Sequence, residues 1–159
     1  MNFIDQLRDL DALDRRILRV VQREGTISQA DLAERVGSSP ASCWRRLKAL
    51  EEDGILGDVV RLVDPEKVGQ RLEAICHVRL KSHATEVRAL FEEFARSHEQ
   101  VRACYLMSGE WDYLVLVISR DVQEFEQFLM REMLAHKSVA TSASHFSLKC
   151  IKTTTEIPI

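Results

Sequence analysis

Apolar residues recur at helical spacing over the first part of the chain and at strand spacing over much of the rest. Leu10, Leu13, Ile17, Val20 and Val21 mark one face of a first amphipathic helix, with Arg15, Arg16, Arg19 and Arg23 between them and Gly25 as its stop. Ser28 is placed to cap a second, shorter helix whose Leu32, Ala33 and Val36 face inward, and Gly37 ends it where a left-handed residue turns the chain. After the short turn Val36-Gly37-Ser38, Ser39 as N-cap and Pro40 as first helical residue open a third helix that runs to about Asp53, with Gly54 as its C-cap. Cys43, Leu47 and Leu50 form its inward stripe, which leaves Ser42, Arg45, Arg46 and Lys48 on the remaining surface. The β-rich run Asp58 to Val63, closed by Asp64-Pro65, reads as a β wing or linker strand. The pattern divides the chain here, into a domain over residues 1–65 and another over 66–159.

The second part begins with strict alternation over Leu72, Ala74, Cys76, Val78 and Leu80, the period of a strand. A helix follows with Val87, Leu90, Phe91 and Phe94 on its core face and Glu86, Arg88, Glu92 and Glu93 solvated. Val101 to Met107 and Asp112 to Ile118 are two strands joined through Ser108-Gly109-Glu110-Trp111, a hairpin with a glycine turn. Asp121 caps a helix with Val122, Phe125, Leu129 and Met133 inward, and a last strand spans Val139 to Lys152. The order β-α-β-β-α-β is that of a ferredoxin-like domain, an antiparallel sheet with both helices on one face. Its hairpin strands are apolar on both sides, Tyr113, Val115 and Val117 against Leu114, Leu116 and Ile118, so a second subunit is expected over the uncovered face.

Composition alters this picture little. A net charge of −3 over 159 residues gives no global attraction to nucleic acid, so any DNA surface has to be a local patch. The longest apolar run, Tyr113 to Ile118, is too short to cross a bilayer, and acids stand where a signal peptide needs bases, so no membrane association is expected and the cytoplasm is the expected compartment. Cys43, Cys76, Cys104 and Cys150 lack the close spacing of metal or redox pairs and are expected to be reduced.

Such a local patch exists on the third helix. Between Ser38 and Leu50 the only charges are Arg45, Arg46 and Lys48, and the hydroxyls of Ser38, Ser39 and Ser42 gather at the helix N-terminus, where unpaired N–H groups favour phosphate. Two helices joined by a short turn match the helix-turn-helix, whose last helix enters the major groove and lets Arg45 or Arg46 reach base edges. The alternative is a three-helix module with a merely solvated basic face. Trp44 either completes the core, the favoured reading, or rests against DNA backbone. The hairpin turn from Met107 to Tyr113 combines glycine, exposed N–H groups, Asp112 and aromatics, a set able to hold a zwitterion, although an ordinary charged turn has the same composition. Thr141, Ser142 and Ser144 are either pocket walls or a polar strand end. The scattered His77, His83, His98, His136 and His145 suggest no catalytic set, and no metal or cofactor is implied.

Three runs, SPASCWRRLKALEEDGIL from Ser39, LMSGEWDYLV from Leu106 and KTTTEIPI from Lys152, resemble the Lrp/AsnC family of feast/famine regulators. The resemblance covers nearly the whole chain. It implies an α+β protein, with an N-terminal winged helix-turn-helix followed by a βαββαβ domain for ligand sensing and oligomerisation. It also implies sequence-specific binding of double-stranded DNA, no enzymatic activity, and homodimers that assemble to tetramers or octamers. A small-molecule effector, an amino acid, is expected between subunits. By the family's motif the DNA-binding set is Ser28, Gln29, Ser38, Ser39, Ala41, Ser42, Trp44, Arg45, Arg46 and Lys48. The effector set is Met107, Ser108, Gly109, Asp112, Tyr113, Thr141, Ser142 and Ser144. The turn departs from the family in Glu110-Trp111, which leaves the effector's identity open. Two readings compete: a sirohaem-type enzyme using His77, His136 or His145, and a metabolite-binding or assembly module that no longer binds DNA.

Overall fold

A computed structural model describes residues 9–159. The chain divides into two units, the first formed by residues up to Leu62 together with Lys152–Ile159, the second by Val63–Ile151. The last eight residues lie with the first unit in space.

In the first unit α1 (Ala12–Val21), α2 (Gln29–Val36) and α3 (Pro40–Glu52) enclose a core of Ile17, Leu18, Leu32, Ala33, Val36, Cys43 and Leu50. Each helix start is satisfied locally: Asp11 accepts from the backbone N–H groups of Leu13 and Asp14, Ser28 from that of Asp31, and Ser39 from that of Ser42. Gly37 is left-handed at φ 64°, and the N–H of Ser38 reaches back to the carbonyl of Ala33 at 2.9 Å, which closes α2 and fixes the turn into α3. The core also holds a charge, because Asp14 is 1% exposed. A guanidinium Nη1 of Arg46 lies 3.3 Å from both of its oxygens and 2.8 Å from Asp11 Oδ2, which joins α3 to the start of α1. Arg16 makes a second brace, donating to the Val36 carbonyl at 3.0 Å.

Two expectations in this unit are corrected. Trp44 is not in the core: it is 55% exposed, because Cys43 and Leu50 already fill the inward face, and the ammonium of Lys48 sits over its ring at 5.3 Å. The run Asp58 to Val63 is not a strand; it is exposed, and among the described residues it has no ladder partner to hydrogen-bond its backbone.

In the second unit β1 (Leu72–Leu80), β2 (Val101–Leu106), β3 (Tyr113–Ser119) and β4 (Val139–Phe146) form one antiparallel sheet in the order β2-β3-β1-β4. α4 (Thr85–Ser97) and α5 (Val122–Gln127) cover one face, where Ala74, Cys76, Val78, Tyr113, Val115 and Val117 meet Phe91, Phe94, Phe125, Phe128 and Met133. The other face carries Ile75, Leu114, Leu116 and Ile118, all half-buried in the single chain. α5 runs into a π-helical turn, Phe128–Met133, whose extra residue rotates the phase of the helix. Phe125 and Phe128 are buried at i and i+3 and Met133 follows across the π turn, whereas Val122, expected inside, is 56% exposed. β4 stops at Phe146 rather than Lys152: its ladder with β1 ends at the Ala74–Phe146 pair, after which only the Ser147 N–H bonds the Glu73 carbonyl. Among the described residues no helix is long and apolar enough to cross a membrane.

Replacing Arg46 by Met should destabilise the first unit by about 2–3 kcal/mol, since the Asp14 carboxylate stays inside after its neutralising partner is gone. Urea unfolding followed by Trp44 fluorescence in a Trp111→Phe background measures this, and an unchanged midpoint would refute the role given to the pair. In the second unit, burial, with Lys137, His98 and Lys81 nearby, holds His136 below the ordinary imidazole value of 6.5. Such a group gains affinity for a proton on unfolding, so its contribution is complete above that value and is lost as pH falls through it. Thermal melts should show the second unit weakening on acidification through this window, and His136→Gln should flatten that dependence.

Candidate functional site

The DNA-facing residues predicted from sequence separate into three groups in the structure. Ser28 and Ser39 spend their hydroxyl oxygens on capping, at 3.1 Å from the Asp31 N–H and 3.2 Å from the Ser42 N–H, and Ser38 shapes the α2–α3 turn through its backbone. Gln29 and Ala41 are exposed near the starts of their helices, and Ser42 is half-buried. The second group is Arg46 alone. Its guanidinium is turned inward to Asp14 and Asp11, so it braces α3 rather than facing outward.

The third group is Trp44, Arg45 and Lys48. All three are exposed, and among the described residues Arg45 has no hydrogen-bond or ion-pair partner. Lys48 lies 3.9 Å from Glu52, a loose exposed contact of little energetic weight. The outward face of α3 therefore offers one unengaged guanidinium beside an ammonium laid over an indole ring. Arg35, on α2, is paired with Glu24.

The hairpin turn is built by hydrogen bonds across the sheet end. The Met107 N–H donates to the Asp112 carbonyl at 2.8 Å, and Gly109 at φ 119° occupies a conformation that side chains rarely adopt. The Asp112 N–H donates to the Val78 carbonyl at 3.0 Å, and its Oδ2 accepts the Leu80 N–H at 2.7 Å. Its Oδ1 lies 3.2 Å from Nδ1 of the exposed His83. With 14% of its side chain exposed, Asp112 both ends the β1–β3 ladder and keeps one oxygen near the surface.

Arg79 is a member of this site that the sequence reading did not single out. Its Nη2 donates to the Glu110 carbonyl at 3.1 Å and to Glu110 Oε1 at 3.0 Å, while its guanidinium lies 5.1 Å from the Trp111 ring centre. His77 is 5.9 Å from Trp111 and 5.6 Å from His145, so the outer sheet face beside the turn carries an aromatic and cationic row. The signal was available: His77 and Arg79 alternate with the buried Cys76, Val78 and Leu80 and so share the opposite face.

Thr141 pairs with Arg79 and is exposed on that same face. The structure does not bring Tyr113, Ser142 and Ser144 to it. Ser142 pairs with Val78 and Ser144 with Cys76, on the helix-covered face, where the Ser144 hydroxyl contacts the Cys76 sulfur at 3.4 Å. Tyr113 is 2% exposed and donates to Glu92 Oε1 at 2.9 Å; burial, followed by that carboxylate, pushes its hydroxyl up to about 12. Tyr113 instead lines a cavity of about 390 Å³ between α4 and β2, with Glu92, Arg96, Arg102 and Cys104, away from the turn. Burial raises the Cys104 thiol to about 11 and the Cys76 thiol in the same direction, so both are protonated at neutral pH and neither is an activated nucleophile. Among the described residues no cluster of His, Cys, Asp and Glu could hold a metal ion.

Removing the Asp112 carboxylate leaves the Leu80 N–H without its acceptor. Asp112→Ala should therefore cost about 1–3 kcal/mol of stability with no ligand present. A melting point equal to that of the parent protein would show that this bond does not hold the turn.

Residues 73–157 match the model of the Lrp/AsnC ligand binding domain, and residues 10–56 match that of a winged helix-turn-helix DNA-binding domain. The chain is 36% identical over 150 residues to the DNA-binding transcriptional activator DecR of Escherichia coli, covering 94% of this chain and 99% of that protein. A transcriptional regulator of Neisseria meningitidis, solved in complex with L-methionine, superposes with a TM-score of 0.91 at 37% identity, over 94% of this chain and 97% of that one. An AsnC family transcriptional regulator of Agrobacterium tumefaciens gives 0.88 at 39% identity, over 93% and 96%.

Proposed function

The chain belongs to the Lrp/AsnC family of transcriptional regulators, and from that premise we propose how its two units divide the work of a DNA-binding, ligand-responsive regulator. The first unit reads DNA through the outward face of α3. The observation that carries this reading is the contrast between neighbours: Arg46 is locked to the buried Asp14, whereas Arg45 is exposed and unengaged among the described residues. Arg45 has the reach and bidentate geometry to address a guanine edge, and Lys48 with Trp44 suits the adjacent phosphate backbone.

The second unit takes an amino acid at the hairpin turn. A zwitterion needs an acceptor for its ammonium group and donors for its carboxylate; Asp112 Oδ1 supplies the first and the N–H groups around Gly109 the second. The solved complex of the Neisseria meningitidis regulator with L-methionine supports this class of ligand. Thr141 belongs with this turn, whereas Ser142, Ser144 and Tyr113 support it from beneath the sheet. The outer sheet face, with Ile75, Leu114, Leu116 and Ile118 half-covered, is where a second copy pairs to give the homodimer and its higher assemblies.

Two measurements test this. Arg45→Ala should weaken binding to a selected operator by about 1–3 kcal/mol and relax preference at one base pair, while Lys48→Ala should weaken all sequences alike and reduce the salt dependence. If neither change alters affinity, α3 does not read DNA by this face. A panel of amino acids should contain one that raises the melting point of the parent protein, by about 2.7 kcal/mol of stabilisation at a hundredfold excess over its Kd. No rise with any amino acid sinks the sensing half of the proposal and leaves the DNA-binding half standing.

A further inference from the structure

The segment Lys152–Ile159 is part of the first unit although the residues just before it belong to the second. It has no regular secondary structure, yet it is held on α1 by an ordered set of contacts. The side-chain amide of Gln22 forms a reciprocal pair with Ile157, its Nε2 donating to the carbonyl at 3.2 Å and its Oε1 accepting the N–H at 2.6 Å. These are the two bonds that a neighbouring strand would supply. Arg19 donates through Nε and Nη2 to the Ile159 carbonyl at 2.8 and 2.6 Å, and Arg23 Nε donates to Glu156 Oε1 at 2.7 Å. Pro158 lies between the bonded residues, needs no acceptor and restricts the extended backbone. The side chain of Ile159 packs against the apolar core of the unit.

Arg19, in the last turn of α1, and Gln22 and Arg23, just past its end, stand at i, i+3 and i+4, so one face at the C-terminal end of α1 supplies these contacts to the segment. Together they read features along the segment: an acidic side chain, a backbone pair and an apolar residue two positions beyond that pair. Each contact is exposed and individually weak, which suits a seat that opens and refills.

We propose that this face of α1 is a seat for an extended acidic–apolar peptide, that its occupant is the chain's own residues 153–159, and that seating is reversible. When the seat is filled, the second unit is attached to the DNA-binding unit at both of its ends. When it is empty, only the connection after Leu62 joins them. The inference uses no residue of the hairpin turn or of the outward face of α3, so it stands or falls separately from the functional reading above.

Hydrogen exchange of the Ile157 N–H in the full chain tests it, because that N–H is bonded only while the seat is filled and its exchange tracks the fraction of molecules with the seat open when opening is fast. Arg23→Glu and Glu156→Arg should each speed this exchange several-fold, the double variant should return it towards the parent rate, and Ile159→Asp should exchange fastest. Circular dichroism checks that the helices persist in each variant. If Arg23→Glu fails to fold, Glu156→Arg and Ile159→Asp, which lie outside any helix, carry the test. Single variants that exchange at the parent rate, or a double variant no slower than either single one, would overturn the proposal.

Discussion

The placement of α3 depends on a carboxylate that the core cannot tolerate alone. Asp14 sits among Ile17, Leu18 and the inner faces of α2 and α3, and an ionised group there is costly unless a cation comes with it. Arg46 is that cation, and reaching Asp14 fixes the rotation of α3 about its own axis. Cys43 and Leu50 then face inward while Trp44, Arg45 and Lys48 face outward. The set of side chains on the outward face of α3 is thus fixed by a residue on a different helix that never touches it.

The second unit meets a comparable demand with hydrogen bonds. β1 extends past the end of β3, and the Leu80 N–H beyond that end would be unpaired without the Asp112 carboxylate. Arg79, one residue earlier and on the opposite face, ties the same turn by the Glu110 carbonyl and side chain. The turn is consequently anchored to β1 from both sides, and Asp112, the acceptor proposed for a ligand's ammonium group, already has a structural duty.

Most of this architecture was legible as period. The alternation from Leu72 to Leu80 and the spacing of Phe91 and Phe94 identified β1 and α4, and glycine with serine caps identified the turns of the first unit. What escaped was whatever depends on partners distant in sequence. Asp14 lies on the apolar stripe with Leu10 and Ile17, a visible hint, but nothing local shows that Arg46 neutralises it. The π turn that follows α5 sets Met133 five residues after Phe128 with both buried, a spacing that a regular 3.6 period does not foretell. At the candidate site, strand parity already grouped Tyr113 with Val115 and Val117 rather than with Asp112, and set Thr141 apart from Ser142 and Ser144; which of these shares the Arg79 face is fixed only by the register of β4 on β1. The β-rich run after Gly57 shows the reverse case, a sequence with strand character and, among the described residues, no strand to pair with.

The contacts between α1 and residues 156–159 also bear on how the protein is made. Arg19 and Ile159 are separated by 140 residues. Ribosomes add roughly 5–20 residues per second, so α1 emerges on the order of ten seconds before the segment that covers it exists. During that interval the three helices can assemble around Ile17 and Leu50 with their outer cations bare, and the unit reaches its final form only after the whole sheet domain has been translated. Completion of the helical unit is therefore a late event in biogenesis, set by codons some 140 positions downstream of those for α1.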